Sequence, residues 1–181
     1  YTIVGTERIH ASLDALDLRR TRVPMTTRQL LYDLVGLDAS DPAATIAAFR
    51  QRSRNKQYNY DGAAWSDREG SGNDLTTPRE MARLFDAIEQ GVGISAAARE
   101  GIIDILKRQK FTERIPALLP EAVEVAHKTG SLKGVRNDAG IVYAPGGPYV
   151  VSLFSKGLQD ERAGVMALAE LSKIVWEAFG E

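Results

Sequence analysis

The chain has 181 residues, enough for one domain or the larger part of one. Its 23 basic and 24 acidic residues leave a formal charge of −1, which excludes a nucleic-acid partner held by charge alone. It has no cysteine and only His10 and His127, so disulfides, thiolate chemistry, Cys-based zinc and His-rich metal sites are excluded, and no apolar run is long enough to span a membrane.

The chain starts at Tyr1 rather than at methionine, and an upstream segment is expected. Helix signals come first. Ile9, Leu13 and Leu16 share one face of a segment running from Thr6 to Leu18. Thr26-Thr27-Arg28-Gln29 is a capping box, in which a hydroxyl and an amide three residues later satisfy exposed N–H groups reciprocally. Leu30, Leu31, Leu34 and Val35 then supply an apolar stripe. Asp41-Pro42 reads as an N-cap and first-turn proline, with a helix through Phe49. From Gln57 to Asn73 no period is evident. Tyr58, Tyr60 and Trp65 stand there among Gly, Asn, Asp and Ser, which predicts a long surface loop.

Thr77-Pro78-Arg79-Glu80 restarts helix, with Met81, Leu84, Phe85 and Ile88 on one side and Gly91 and Gly93 closing it. A second helix runs from about Ser95 to Gln109, buried through Ile102, Ile103 and Leu106. Beyond residue 120 the pattern changes. Ala122 to Ser131, Asn137 to Ala144 and Tyr149 to Lys156 read as strands, linked by turns at Leu132 to Arg136 and Pro145 to Pro148. Short links make them antiparallel. A last helix, Asp160 to Phe179, carries Val165, Leu168, Leu171 and Val175 on its inner face. The fold class is α+β, an α/β sandwich whose antiparallel sheet is covered by helices.

The sharpest chemical feature is His127-Lys128-Thr129-Gly130-Ser131, at a strand end that turns at once into the next strand. Lys128 offers a positive charge for a carboxylate or a proton relay. The Thr129 hydroxyl can bond the same carboxylate. Gly130 lets a ligand approach the backbone, and a free N–H at Ser131 can face an oxyanion. His127 should point away from Lys128, a structural role.

These residues resemble the third signature, Lys-Thr-Gly, of the serine β-lactamase and penicillin-binding protein superfamily. The match extends over HKTGSLKGVRNDAGIVYAP, from His127 to Pro145. NDLTTPREMARLFDAI, from Asn73 to Ile88, is similar to the helix after that family's omega loop. Gly5 to Val23 is similar to its helix after the second signature. The resemblance implies one domain portion, 1–181, mainly helical over 1–120 with the loop 57–73, and bearing strands and the closing helix over 121–181. It would be the C-terminal portion of a domain incomplete at its N-terminus. It implies an acyl-enzyme reaction on β-lactams, peptides or esters, with Lys128 catalytic and Thr129, Gly130 and Ser131 binding substrate. Arg136 and Asn137 lie near a carboxylate-binding position of some relatives. They alternate in facing, and which of them meets substrate stays open. No metal, organic cofactor, nucleic acid or membrane segment is implied. The partners are a small-molecule substrate and the missing N-terminal segment of the same protein. A periplasmic or secreted location follows from the resemblance only.

The chain departs from the pattern in two ways. The first signature, Ser-x-x-Lys, and the second are expected upstream. Ser53-Arg54-Asn55-Lys56 and Ser71-Gly72-Asn73 mimic them in order, yet stand in a polar stretch where a lysine is not desolvated. A deacylating glutamate is not evident either; Asp61, Asp67 and Glu69 read as solvated loop residues. A non-catalytic binding module with the same fold is the alternative from another class. A DD-peptidase or esterase is the alternative within the class, and an unrelated α+β domain would lack a pocket at Lys128.

Overall fold

The computed structural model describes residues 3–180. The chain forms two compact units, Tyr1–Thr77 and Pro78–Glu181.

The first unit opens with α1 (Thr6–Ala15), which buries Leu13. Its stem is closed by a bridge in which Arg22 and Leu75 exchange backbone hydrogen bonds of 2.8 Å each way. Between these stems the chain makes a closed excursion. The capping box opens α2 (Thr27–Asp33) as its sequence requires: Gln29 N–H donates to Thr26 Oγ1 at 3.2 Å, and Thr26 N–H to Gln29 Oε1 at 2.7 Å. The expected helix at Asp41-Pro42 is a turn instead. Asp41 Oδ1 accepts the Ala43 N–H at 2.8 Å, a local bond that competes with helix. Helix α3 starts later, at Ile46–Arg54, capped by the Thr45 side chain. The long loop is present and holds one 3-10 turn, Ala63–Trp65.

In the second unit, α4 (Pro78–Gln90) and α5 (Ala96–Lys107, capped by Ser95) lie on one face of the sheet. The strands are β1 (Val125–Leu132), β2 (Val135–Ala144) and β3 (Gly147–Lys156), antiparallel in that order. Each begins or ends within three residues of its expected limit. Phe85 and Ile103 pack on Ala126, Ala139 and Ile141; the Ile102 and Leu106 expected beside Ile103 are only half-buried. On the other face, Val125, Val142 and Val151 pack with Ile115 and Trp176 of α6 (Glu161–Phe179). Each fully buried aliphatic side chain contributes about 1.5–3 kcal/mol, so the two clusters hold the sheet from both sides.

Helix α6 differs from expectation in which residues it buries. Gly164, Leu168, Ala169 and Ser172 face the sheet, Val165 and Val175 lie half-buried, and Leu171 is 47% exposed. Ala163, Ala167, Leu171, Ile174 and Ala178 form an outward apolar stripe, with Ile174 59% exposed. Among the described residues, the sheet also leaves two edges without a neighbouring strand, β1 and β3. We therefore expect this 181-residue chain to bind an apolar dye and to self-associate. Lysine at Leu171 and Ile174 together should reduce both; dye fluorescence and light scattering measure it.

Candidate active site

The site follows from strand register. A two-residue turn, Lys133-Gly134, joins Leu132 to Val135, and Gly134 adopts φ +70°, a left-handed conformation that glycine accepts without strain. Leu132 and Val135 therefore form a hydrogen-bonded pair. Beyond the other end of the ladder, Tyr143 N–H donates to Glu124 O at 3.0 Å, which has the same phase. Antiparallel alternation then directs the backbone groups of Lys128 and Gly130 toward β2. Those of His127, Thr129 and Ser131 point out of the open edge. The Ser131 N–H is thus an outward donor, as an oxyanion site requires.

Side chains alternate in the other sense. Lys128 and Gly130 share a face with Ala126 and Asn137. Thr129, Ser131, Arg136 and Asp138 share the opposite face with His127. Lys128 is exposed, whereas Thr129 is 9% exposed. The two still meet at the edge, because Lys128 Nζ donates to the outward carbonyl of Thr129 at 2.5 Å. The ammonium therefore lies beside the outward N–H groups.

Arg136 and Asn137 point to opposite faces, as the alternation predicts, and both have partners. Arg136 Nη1 donates to Leu132 O at 2.6 Å and Val135 O at 2.7 Å, and its Nη2 pairs with Glu161. Arg136 thus braces the turn. It also lines a cavity of about 700 Å³ with Leu118, Glu161, Val165 and Met166. Lys128 to Ser131 do not line that cavity. Asn137 Oδ1 accepts the Ser155 N–H at 3.1 Å.

One residue that the sequence did not mark out is central. Arg114 is 3% exposed, and its Nη1 donates to Gly130 O at 3.0 Å and Asn137 O at 2.5 Å. Its Nη2 donates to Ser131 Oγ at 2.6 Å. Burial pushes this guanidinium below the ordinary arginine value; Glu113 and Asp138 oppose that shift and Arg136 adds to it. Arg114 stands in an irregular segment without period, so its burial had no pattern to announce it.

The mimics of the missing signatures are accounted for locally. Lys56 is exposed at φ +54°, beyond the end of α3, in no desolvating environment. Asn73 is buried and pins the loop, donating to Ala64 O at 3.1 Å and Ser66 O at 2.8 Å. Tyr58, Tyr60 and Trp65 form one aromatic cluster, with Tyr60 and Trp65 centroids 4.9 Å apart. Asp61, Asp67 and Glu69 are exposed.

Residues 1–179 match the model of the "Beta-lactamase enzyme family". The chain is 32% identical over 112 residues to Beta-lactamase 3 of Bacillus cereus, covering 60% of this chain and 35% of that protein. It is similar in structure to a beta-lactamase from Sphaerobacter thermophilus, with TM-score 0.70 and 23% identity, over 99% of this chain and 55% of that one. It is also similar to a mutant of PBP-A in an acyl-enzyme complex with penicillin G, with TM-score 0.54 and 31% identity, over 63% of this chain and 45% of that one. The chain spans about half the length of these solved relatives.

Two glycines near the edge make opposite predictions. A Cβ at Gly130 would meet Asn137 Cβ at 3.7 Å, ordinary contact, so nothing in the fold requires glycine there. A Cβ at Gly140 would stand 2.5 Å from His127 Cβ and 2.5 Å from Ala126 O. Gly140→Ala should lose about 1–3 kcal/mol in thermal or urea unfolding, while Gly130→Ala should unfold almost as the parent.

Glu161 gives a pH prediction. Its carboxylate accepts the Gly134 N–H at 2.8 Å, which lowers its pKa, and the Arg136 charge lowers it further. A lowered carboxylate stabilises the fold above its ordinary value, near 4.3, and that stabilisation is lost as pH falls through the lowered value. Exchange of the Gly134 amide should therefore accelerate as pH falls below 4.3, relative to that of amides in β2. Glu161→Gln should remove that dependence.

Proposed function

Because the chain belongs to the beta-lactamase enzyme family, a family of hydrolases, we propose that it provides the substrate-binding edge of a serine hydrolase working through an acyl-enzyme. The observation that carries this reading is the convergence at one open strand edge of the outward Ser131 N–H, the Lys128 ammonium and the Thr129 residue. Charge and donor are fixed there before any ligand arrives, which is the requirement for electrostatic stabilisation of a developing oxyanion.

In the proposed reaction, the hydroxyl of a Ser-x-x-Lys serine outside these 181 residues attacks the carbonyl carbon of a β-lactam or a related amide or ester. The carbonyl oxygen takes the negative charge and is held by the Ser131 N–H. The bond to the leaving nitrogen or oxygen breaks, and that atom receives the proton lost by the serine. Water then hydrolyses the ester and restores the serine. Lys128 and Thr129 hold the substrate carboxylate, and Lys128 supports the proton relay. Gly130 leaves room beside the strand. Arg136 adds positive potential on the Thr129 face, and Asn137 borders the Lys128 face. The reading uses no metal or organic cofactor. It places the protein in the periplasm or outside the cell; among the described residues no helix is long and apolar enough to cross a membrane. Since the loop carboxylates are solvent-exposed, deacylation is expected to be slow.

The test is incubation with benzylpenicillin of the protein at the length its source produces, followed by intact mass and peptide mapping. One stoichiometric adduct outside residues 1–181 is expected, and Lys128→Ala should slow its formation by about 10²-fold or more. An adduct on Ser53 would move the nucleophile into this chain. Reversible binding without an adduct would make the protein a binding module, and neither outcome would overturn the site altogether.

A further inference from the structure

Behind the open edge lies a buried polar network that the proposed reaction does not use. His127 is 2% exposed and Asp138 0%. His127 Nδ1 lies 2.9 Å from Asp138 Oδ1 and 3.0 Å from Oδ2. Asp138 Oδ2 also accepts the Ile115 N–H at 3.1 Å, and Ile115 O accepts Ser172 Oγ–H at 2.8 Å.

We propose that His127 and Asp138 are positioning residues for the substrate edge, acting through Arg114. The proposal rests on the reading of that edge as a substrate site. The connection is direct. Asp138 fixes the backbone at Ile115. The neighbouring residue is Arg114, whose guanidinium holds Gly130 O, Asn137 O and Ser131 Oγ. A shift of residue 115 therefore moves the clamp on the strand segment that carries the outward Ser131 N–H.

Three observations support a positioning role. Asp138 faces Thr129 directly across the strands, and His127 faces Gly140. The pair thus acts on the two strands at the level of the site. Room for His127 depends on Gly140, where any Cβ would collide with it, so these two positions are matched to one another. Finally, the surrounding residues on this face are Val125, Val142, Val151 and Ile115. An apolar pair of similar size would fill this space at no cost in desolvation, whereas a buried hydrogen-bonded polar pair fixes position through its directional bonds. The charged groups near Arg114 are Glu113, Asp138 and Arg136, so Asp138 is the buried counter-charge to the clamp.

The experiment compares His127→Leu, His127→Asn and Asp138→Asn with the parent, again at the length its source produces. Asparagine places its amide nitrogen near the position of His Nδ1, so it can restore the bond that leucine removes. The concentration of benzylpenicillin for half-maximal acylation should rise about tenfold in His127→Leu and Asp138→Asn, with the maximal acylation rate nearly unchanged. His127→Asn should return it close to the parent. Melting temperatures recorded in parallel separate folding from positioning. A lower melting temperature with unchanged acylation constants would overturn the proposal, as would failure of asparagine to rescue. If the parent itself is not acylated, the reading of the edge fails separately. The network is then judged by the Gly130 and Ser131 amide shifts, which leucine should move and asparagine restore; unmoved shifts would overturn it.

Discussion

The register of β1 against β2 is the constraint on which the candidate site depends. Strand side chains repeat with period two, so a slip of one residue would exchange the two faces and reverse every outward N–H. The Lys133-Gly134 turn sets this register, because it links paired Leu132 and Val135 in two residues, with Gly134 taking the left-handed conformation the turn needs. Arg136 and Glu161 then hold the turn from the side of α6, through Leu132 O, Val135 O and the Gly134 N–H. With the register set, Ser131 presents its N–H outward and Lys128 reaches the same edge from the opposite face.

The second consequence concerns charge. Lys128 stands exposed at the rim, where water moderates its field, while Arg114 is enclosed and donates to groups of β1 and β2 together. A buried guanidinium needs acceptors and counter-charge to be tolerated. Two carbonyls, a hydroxyl, Glu113 and Asp138 provide them, though Nε remains without a partner. The edge therefore has an exposed cation in front and an enclosed one behind. This division suits a site that must admit a ligand without losing the strand geometry that meets it.

In the first unit a different principle operates. The Arg22–Leu75 bridge joins residues far apart in sequence, and Thr21 and Thr76 hydroxyls meet beside it at 2.9 Å. What lies between is organised by local caps and by side chains that bond the backbone. Asp33 Oδ2 accepts the Ala64 N–H at 2.7 Å, Asp74 Oδ1 accepts the Met25 N–H at 2.9 Å, and Asn73 donates to the loop carbonyls. Short polar residues thus substitute for a strand ladder, which is why a stretch without periodicity is nonetheless ordered.

Elements governed by local physics were legible in the sequence. The capping box at Thr26, the helix start near Ser95, the three strands and the Lys-Thr-Gly strand end each carry their signal within a few residues, and each occurs within a few residues of where it was expected. The Asp41-Pro42 start misled because an aspartate side chain can close a turn as readily as cap a helix, and neighbouring sequence does not decide between them. Burial of α6 misled for a related reason: period identifies a face, but only packing tells which residues of an apolar helix meet the sheet. Tertiary structure alone supplied Arg114, the His127–Asp138 pair and the requirement for glycine at Gly140. Those depend on residues brought together from separate segments of chain. A residue's neighbours along the chain are set by its sequence, whereas its neighbours in space exist only once the strands have paired.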